Sequence, residues 1–327
     1  MTLNKLGEGI YVDAQKTERM KKLQAVVFDC DGVLIDVSNS YDLAIKRTVE
    51  FVTAQFASIP PAKVTTEMID GLKRTGGFND EVDVTYALIL AAVAAEKTGK
   101  SFPELALEVA KNADVSGITS VERYLESARA DLGEIKKRLA YPSKRFESPL
   151  SSVFDEAFYG SELYTKLYSR HPEFFSGPGL IENDLVLVTA DILSELCMRF
   201  GGRVAIVTGR GAISASHSLK GLFEKFDLTN SRFLEDEPRA MAKPNPASLI
   251  SSIRGMGALH SLFVGDSAED FIMARKAEEA GIPTLFCGIY GTSKDQEGKR
   301  VFFEQKGADM VLESIGLLSK TLNLVGA

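Results

Sequence analysis

The sequence has few cysteines and histidines, and this scarcity excludes several kinds of site. Its three cysteines, Cys30, Cys197 and Cys287, lie far apart and form no Cys-x-x-Cys pair. We therefore expect reduced thiols in a cytosolic protein rather than a disulfide framework. The three histidines share no metal-ligand spacing and are interpreted as structural: His171, His217 and His260.

The chain also lacks a long apolar run and a basic stripe. Its longest apolar run, residues 86–95, is about half the length that a membrane span requires. The first twenty residues contain no apolar core of a secretory signal. The formal net charge of −7 argues against a surface that binds a phosphate backbone. We expect a soluble, cytoplasmic protein that binds neither nucleic acid nor membrane, and the sequence leaves its oligomeric state open.

A short apolar run, residues 23–28, ends in two carboxylates. The run is too short for a helix and rich in β-branched and aromatic residues, which is typical of a strand buried on both faces. It stops at Asp29 and Asp31, and Gly32 opens a turn. The period of two in a strand points both carboxylates the same way, at the carboxyl edge where open α/β sheets bind ligands. Because like charges repel there, a cation or a shared proton is predicted beside them.

Helical and alternating patterns divide the rest of the chain. Residues 37–177 show only helical patterns, whereas strands and helices alternate from residue 178 to residue 327. The predicted fold class is α/β: a Rossmann-like, doubly wound parallel sheet core of residues 23–36 and 178–327, with residues 37–177 inserted as an all-α domain. Residues 1–22 form a polar N-terminal extension, which is either an extra strand or a loose segment.

Four short motifs fall at the ends of predicted strands or at the helix starts beside them. Each alone has an ordinary structural interpretation, such as an acidic turn, a first helical turn with favourable charge, or an exposed lysine before a turn. In order, and in this context, they predict one site. The motifs are Asp29-Cys30-Asp31-Gly32, Thr208-Gly209-Arg210, Lys243-Pro244 and the segment from Gly265 to Asp270.

Charge decides what such a site needs before it can accept a phosphate. Each pair of like charges about 4 Å apart costs about 4 kcal/mol at an effective dielectric constant of about 20. A phosphate dianion among these aspartates therefore requires a divalent cation and a fixed ammonium group. Oxygen ligands without a histidine or cysteine cluster favour Mg²⁺ over Zn²⁺.

Together the motifs resemble the signature of the haloacid dehalogenase-like hydrolase superfamily. The helical insertion resembles the type-1 cap of that superfamily, although it is longer than the usual four-helix version. The resemblance implies that Asp29 is the nucleophile and Asp31 the general acid and base. It also implies that Thr208 and Gly209 bind the transferred phosphoryl group, which Lys243 neutralises. The implied metal ligands are Asp29, the backbone carbonyl of Asp31, Asp266 and Asp270.

The implied activity is Mg²⁺-dependent hydrolysis of a small phosphorylated metabolite through an aspartyl-phosphate. An acid at Asp31 favours phosphoryl transfer over carbon–halogen cleavage, because a departing halide needs no proton. The alternatives are a phosphomutase similar to β-phosphoglucomutase and a non-catalytic phosphate-binding protein. A phosphonate hydrolase is less favoured, since it requires a Schiff-base lysine from the cap.

Two features have competing interpretations. The segment from Lys73 to Asp80 is either a substrate-facing loop, in which Arg74 and Asn79 would contact the substrate, or a solvated turn between helices. Arg210 either contacts substrate or forms a salt bridge on the surface, and we favour the surface salt bridge.

Overall fold

A computed structural model describes residues 3–78, 80–128 and 130–326. The chain divides into two compact units, one up to Val37 and from Asp184 onward, the other from Ser38 to Asn183. The helical unit thus extends six residues beyond the predicted end at 177. The reason is that Pro178 bridges to Gly160 within this unit, and residues 180–183 form a 3₁₀ helix in it.

The sheet unit is built on ten strands in the described part of the chain. They are β1 (Asn4–Gly7), β2 (Ile10–Val12), β3 (Ala25–Phe28), β4 (Ile35–Asp36), β5 (Leu185–Val186), β6 (Val204–Thr208), β7 (Arg232–Phe233), β8 (Ser261–Gly265), β9 (Thr284–Ile289) and β10 (Met310–Leu312). The main sheet has the order β1-β2-β10-β9-β8-β3-β6-β7, and β4 pairs with β5 separately. Strands β3, β6, β8 and β9 are buried at every residue, as expected of parallel strands covered on both faces.

The N-terminal segment extends this sheet. Strand β1 pairs antiparallel with β2, and β2 pairs antiparallel with β10. Ile10 and Val12 are buried, which anchors the segment to the core, whereas β1 is largely exposed. A short helix, α1 (Thr17–Met20), follows and buries Met20. Of the two possibilities for residues 1–22, the extra strand is the one the structure shows, and the sheet is parallel only from β10 to β7.

The inserted unit contains helices and, among its described residues, no strand. Its helices are α2 (Tyr41–Gln55), α3 (Thr66–Lys73), α4 (Glu81–Thr98), α5 (Phe102–Asn112), α6 (Ile118–Ser127), α7 (Gly133–Leu139) and α8 (Pro149–Tyr168). The centre is α4, whose residues 84–95 are all buried. Asp80 begins α4 by accepting the backbone N–H of Val82, and Gly99 ends it in the left-handed conformation, at the limits that the sequence predicts.

Six helices complete the sheet unit: α9 (Ala190–Phe200), α10 (Ala212–Leu219), α11 (Ala247–Gly255), α12 (Ala268–Glu279), α13 (Gln296–Lys306) and α14 (Leu318–Gly326). They cover two separate apolar clusters, one on each face of the sheet. The predicted α/β class, a doubly wound core with an all-α insertion, is therefore confirmed. Among the helices that the structure describes, none combines the length and apolar character needed to cross a bilayer.

Candidate active site

The carboxyl ends of β3 and β8 bring three aspartates together. Asp29 follows β3, and its backbone N–H donates to the carbonyl of Val264 on β8 at 2.9 Å. Asp266 and Asp270 follow β8, so neighbouring strands carry all three side chains to one edge. Asp29, Asp266 and Asp270 each place an oxygen within 4.8 Å of the others, a spacing suited to a shared cation.

Lys243 is the fixed cation of this cluster. Its Nζ lies 2.8 Å from Oδ1 of Asp29 and 2.6 Å from Oδ1 of Asp270. The lysine side chain is only 9% exposed, which excludes the alternative of an exposed lysine before a turn. Burial opposes its charge, but Asp270 and Asp29 outweigh burial and raise the pKa of the ammonium group. Lys243 therefore stays charged throughout the physiological range.

One ammonium group does not balance the cluster. The pKa of Asp29 is raised to about 8. Burial is the largest cause; Lys243 opposes it, and the charges of Asp270, Asp31 and Asp266 add to it. In the metal-free site Asp29 therefore keeps a proton at neutral pH. A divalent cation would displace that proton, so the donor set fits a hard metal ion.

Asp270 is already occupied as a structural residue. Its Oδ2 accepts hydrogen bonds from the backbone N–H groups of Asp266 and Ser267, both at 3.1 Å, and from Oγ of Ser267 at 2.7 Å. Its Oδ1 contacts Lys243. This capping box begins α12 and fixes the loop that carries Asp266. Both oxygens of Asp270 thus hold Lys243 and the loop. This structural role is different from the metal-ligand role that the resemblance implies.

Two glycines permit the close approach of these carboxylates. Gly32 has φ +73°, and a Cβ built on it would lie 2.3 Å from Oδ2 of Asp266. A Cβ on Gly265 would lie 2.4 Å from Cβ of Asp270. Both positions exclude any side chain, which explains the glycine that follows the first acidic motif and the one that begins the last.

A second lysine, not predicted from the sequence, contacts the cluster. Nζ of Lys299, in the first turns of α13, lies 2.6 Å from Oδ2 of Asp266. The sequence does not predict α13 because the helix shows little apolar periodicity. Phe303 is the only residue of α13 that is buried.

Asp31 pairs with a different cation, Arg210, and the favoured interpretation of Arg210 as a surface residue is wrong. The Arg210 side chain is 1% exposed, not on the surface. Its Nε lies 2.5 Å from Oδ1 of Asp31, and its Nη1 lies 2.9 Å from Oδ2 of Asp184. Asp184 carries no sequence signal, since it stands in a polar stretch outside every motif. The side chain of Asp31 is 29% exposed, so its carboxylate is the solvent-accessible member of an otherwise buried network of ion pairs.

Thr208 and Gly209 form the turn after β6. Thr208 is fully buried; its Oγ1 accepts the backbone N–H of Arg210 at 3.3 Å and lies against the Cys30 thiol. Gly209 is exposed, with open space where a Cβ would lie. Burial and the charges of Asp31 and Asp29 raise the pKa of Cys30, which makes its thiol a poor nucleophile. The binding of a phosphoryl group by Thr208 and Gly209 remains a prediction.

The predicted substrate loop lies in the helical unit. Lys73 pairs with Glu81 at 3.3 Å, and Arg74 is exposed at the C-terminal end of α3. Burial opposes the charge of Lys73, but Glu81 and Asp42 raise the pKa of its ammonium group. Asn79 lies outside the described residues. Contact of Arg74 and Asn79 with a substrate therefore remains a prediction.

Comparisons with solved structures show what the fold of this chain is similar to. The chain is similar to phosphatase Tt82 from Thermococcus thioreducens, with 23% identity, 86% of this chain and 99% of that chain covered, and a TM-score of 0.57. A structural genomics target, ZR25, shows 18% identity, a TM-score of 0.63 and coverage of 92% and 98%. At these identities the likeness shows the fold.

One curated protein is similar in sequence. It is named imidazoleglycerol-phosphate dehydratase, from Phytophthora nicotianae, and is 25% identical over 300 residues, which are 89% of this chain and 50% of that protein. The chain thus spans about half the length of this relative. No protein-family model matches the chain.

Proposed function

We propose that the chain is a Mg²⁺-dependent phosphatase of a small phosphorylated metabolite, with the parallel-sheet core and inserted helical unit of the haloacid dehalogenase-like hydrolases that its motifs resemble. The observation that carries the proposal is the contact of buried Lys243 with Asp29 and Asp270, beside Asp266. This arrangement supplies a nucleophilic carboxylate, a fixed ammonium group and oxygen ligands for a cation at one sheet edge.

Metal binding would use the oxygens that face the cluster. Asp29 and Asp266, with the backbone carbonyl of Asp31, would hold the ion. When bound, Mg²⁺ supplies positive charge that orients the phosphate and offsets the repulsion between its oxygens and the carboxylates. Asp270 supports this set through Lys243 and the loop before α12.

Two aspartates carry out the bond-making and proton-transfer steps. An oxygen of Asp29 forms a bond to phosphorus as the bond from phosphorus to the alkoxide oxygen breaks, and Asp31 donates a proton to that alkoxide. Water then attacks the aspartyl-phosphate while Asp31 takes its proton, which releases phosphate and restores Asp29. Lys243 neutralises charge on the phosphoryl group in both steps.

Phosphate release from a broad panel of phosphorylated metabolites with Mg²⁺ tests the proposal, with the Asp29→Asn protein as the blank. Isomerised sugar phosphate without free phosphate would identify a phosphomutase instead. Ligand binding without turnover across the panel would favour a non-catalytic phosphate-binding protein.

The curated relative suggests one substrate for that panel. A protein named for imidazoleglycerol phosphate acts on a phosphate monoester that carries an imidazole ring, and this chain is similar to about half of it. We therefore include imidazole-bearing phosphate monoesters in the panel. Release of free phosphate would support a phosphatase, whereas loss of water with the phosphate retained would assign this chain a dehydratase activity.

We expect the affinity for Mg²⁺ to rise with pH. The folded-state pKa of Asp29 is raised, so below about pH 8 Mg²⁺ must displace a proton. Between pH 6 and pH 8 the affinity should increase roughly tenfold or more, with proton release on binding. Titration calorimetry in two buffers of different ionisation enthalpy measures both quantities. An affinity that is independent of pH would contradict the raised pKa.

We expect Lys299→Met to strengthen Mg²⁺ binding. The ammonium group of Lys299 lies 2.6 Å from Asp266, so it opposes the approach of a second cation to that carboxylate. Its removal should tighten binding by about tenfold, the scale of one partly exposed charge interaction. The Mg²⁺-induced rise in melting temperature reports this change, and Lys276→Met, on the exposed face of α12, is the matched control. Weaker binding in Lys299→Met would show that Lys299 instead holds Asp266 in place.

A further inference from the structure

Arg210 joins four chain segments behind the candidate site. It stands between β6 and α10, and its guanidinium reaches Asp31 after β3 and Asp184 before β5. Ser218, on α10, bridges Arg210 and Asp184: its Oγ accepts from Nη1 of Arg210 at 2.9 Å and donates to Oδ2 of Asp184 at 2.7 Å. The guanidinium is thus held from separate directions.

The side chains of this network differ in their exposure to solvent. The side chains of Arg210 and Asp184 are 1% and 2% exposed, so they form a buried ion pair that Ser218 completes. Asp31, at 29%, is the accessible member. A buried arginine needs only one carboxylate to neutralise its charge, and Asp184 supplies it. The contact with Asp31 is therefore additional to what the stability of the pair requires.

The geometry of the guanidinium suits orientation more than charge neutralisation. Its planar fork donates in fixed directions, and the Nε–H bond to Oδ1 of Asp31 is short, at 2.5 Å. The backbone N–H of Arg210 also donates to Oγ1 of Thr208 at 3.3 Å, which fixes the turn that carries it. One oxygen of Asp31 is thus held by a donor that cannot rotate.

We propose that Arg210, seated on Asp184 and Ser218, is a positioning residue that holds Asp31 at the leaving-group oxygen of the substrate. The proposal rests on the proposed phosphatase function, in which Asp31 protonates that oxygen. Displacement of a catalytic group by about 1 Å can cost about 10²-fold in rate, so a fixed carboxylate has a large effect.

The test compares two leaving groups in one variant. Arg210→Lys keeps the charge but loses the fork. It should lower kcat/KM, which reports the steps up to formation of the aspartyl-phosphate, by about 30- to 100-fold for the alkyl phosphate that the wild-type protein hydrolyses fastest. For p-nitrophenyl phosphate, whose leaving group departs without a proton, kcat/KM should fall by less than about threefold. Because both rates come from the same folded molecules, their ratio is independent of the fraction of protein that folds.

Matched variants separate positioning from stability. Ser218→Ala keeps Arg210 but removes the hydrogen bonds that join Ser218 to Arg210 and Asp184. It should shift the ratio of the alkyl to the aryl rate in the same direction by a smaller factor. In an Asp31→Asn background, Arg210→Lys should add less than about a threefold further loss, since both changes remove one function. Arg275→Lys is the control: Arg275 pairs with Asp309 at 2.8 Å in the same unit, away from the four motifs, and should leave the ratio unchanged.

The outcomes distinguish the two proposals. Equal losses on alkyl and aryl substrates in Arg210→Lys, or independent losses in the double variant, would overturn the positioning role while the phosphatase stands. A wild-type protein that releases phosphate from neither substrate class would overturn the phosphatase, and the positioning role with it.

Discussion

Asp29→Asn is expected to abolish turnover, with a loss of at least ~10⁴-fold in kcat on any substrate that the wild-type protein hydrolyses. An amide of the same size cannot form the bond to phosphorus, so the aspartyl-phosphate does not form. Phosphate release under saturating Mg²⁺ measures the loss. A phosphorylated peptide containing Asp29 should be recovered by mass spectrometry after acid quench of the wild-type reaction and be absent from the variant.

The fold should survive this substitution, which separates chemistry from stability. The carboxyl of Asp29 is buried with three other acidic groups around it, and that surrounding raises its pKa. An amide is uncharged, like the protonated carboxyl of the metal-free site, and it leaves Lys243 paired with Asp270 at 2.6 Å. We therefore expect the metal-free variant to melt at the wild-type temperature or above it. Activity near the wild-type level in a folded Asp29→Asn protein would exclude the nucleophilic mechanism.

The sequence predicts the fold well where apolar periodicity and strand ends coincide. Strands β3, β6 and β8 are short apolar runs followed by polar motifs, so both their existence and the edge they share follow from the pattern. The convergence of Asp29 and Asp266 depends only on that topology. Helix α4 is equally predictable, because an all-apolar stretch with an acidic cap and a terminal glycine fits few structures other than a buried helix.

The sequence does not predict the parts of the site that are formed by polar residues outside such patterns. Asp184 and Lys299 reach the site from segments whose composition is that of any solvated surface, and only the folded chain shows them buried or paired. Arg210 was visible in its motif, but its burial was not, because charge alone favours the surface. The sequence does not settle the antiparallel strands β1 and β2 for a related reason: Ile10 and Val12 are the only buried residues within these two strands.

Lys243→Met should produce the second large effect, on both stability and rate. With Lys243 removed, Asp29 and Asp270 lose their shared cation, and breaking a buried pair in this way costs about 3 kcal/mol of unfolding free energy. The metal-free variant should therefore unfold at lower denaturant concentration. Mg²⁺ should restore part of this stability, because a divalent cation at Asp29 and Asp266 replaces some of the lost charge.

The rate should not recover with the stability, and this difference tests the role of Lys243. Its ammonium group is fixed between two carboxylates, where it can also face a phosphoryl oxygen, and the loss of one such fixed group lowers kcat by about 10²- to 10³-fold. Denaturant unfolding and phosphate release, each with and without Mg²⁺, separate the two effects, and Lys276→Met, an exposed lysine on α12, controls for loss of a charge alone. Full activity of Lys243→Met at saturating Mg²⁺ would show that Lys243 only stabilises the metal-free fold and that the metal ion alone balances the phosphate.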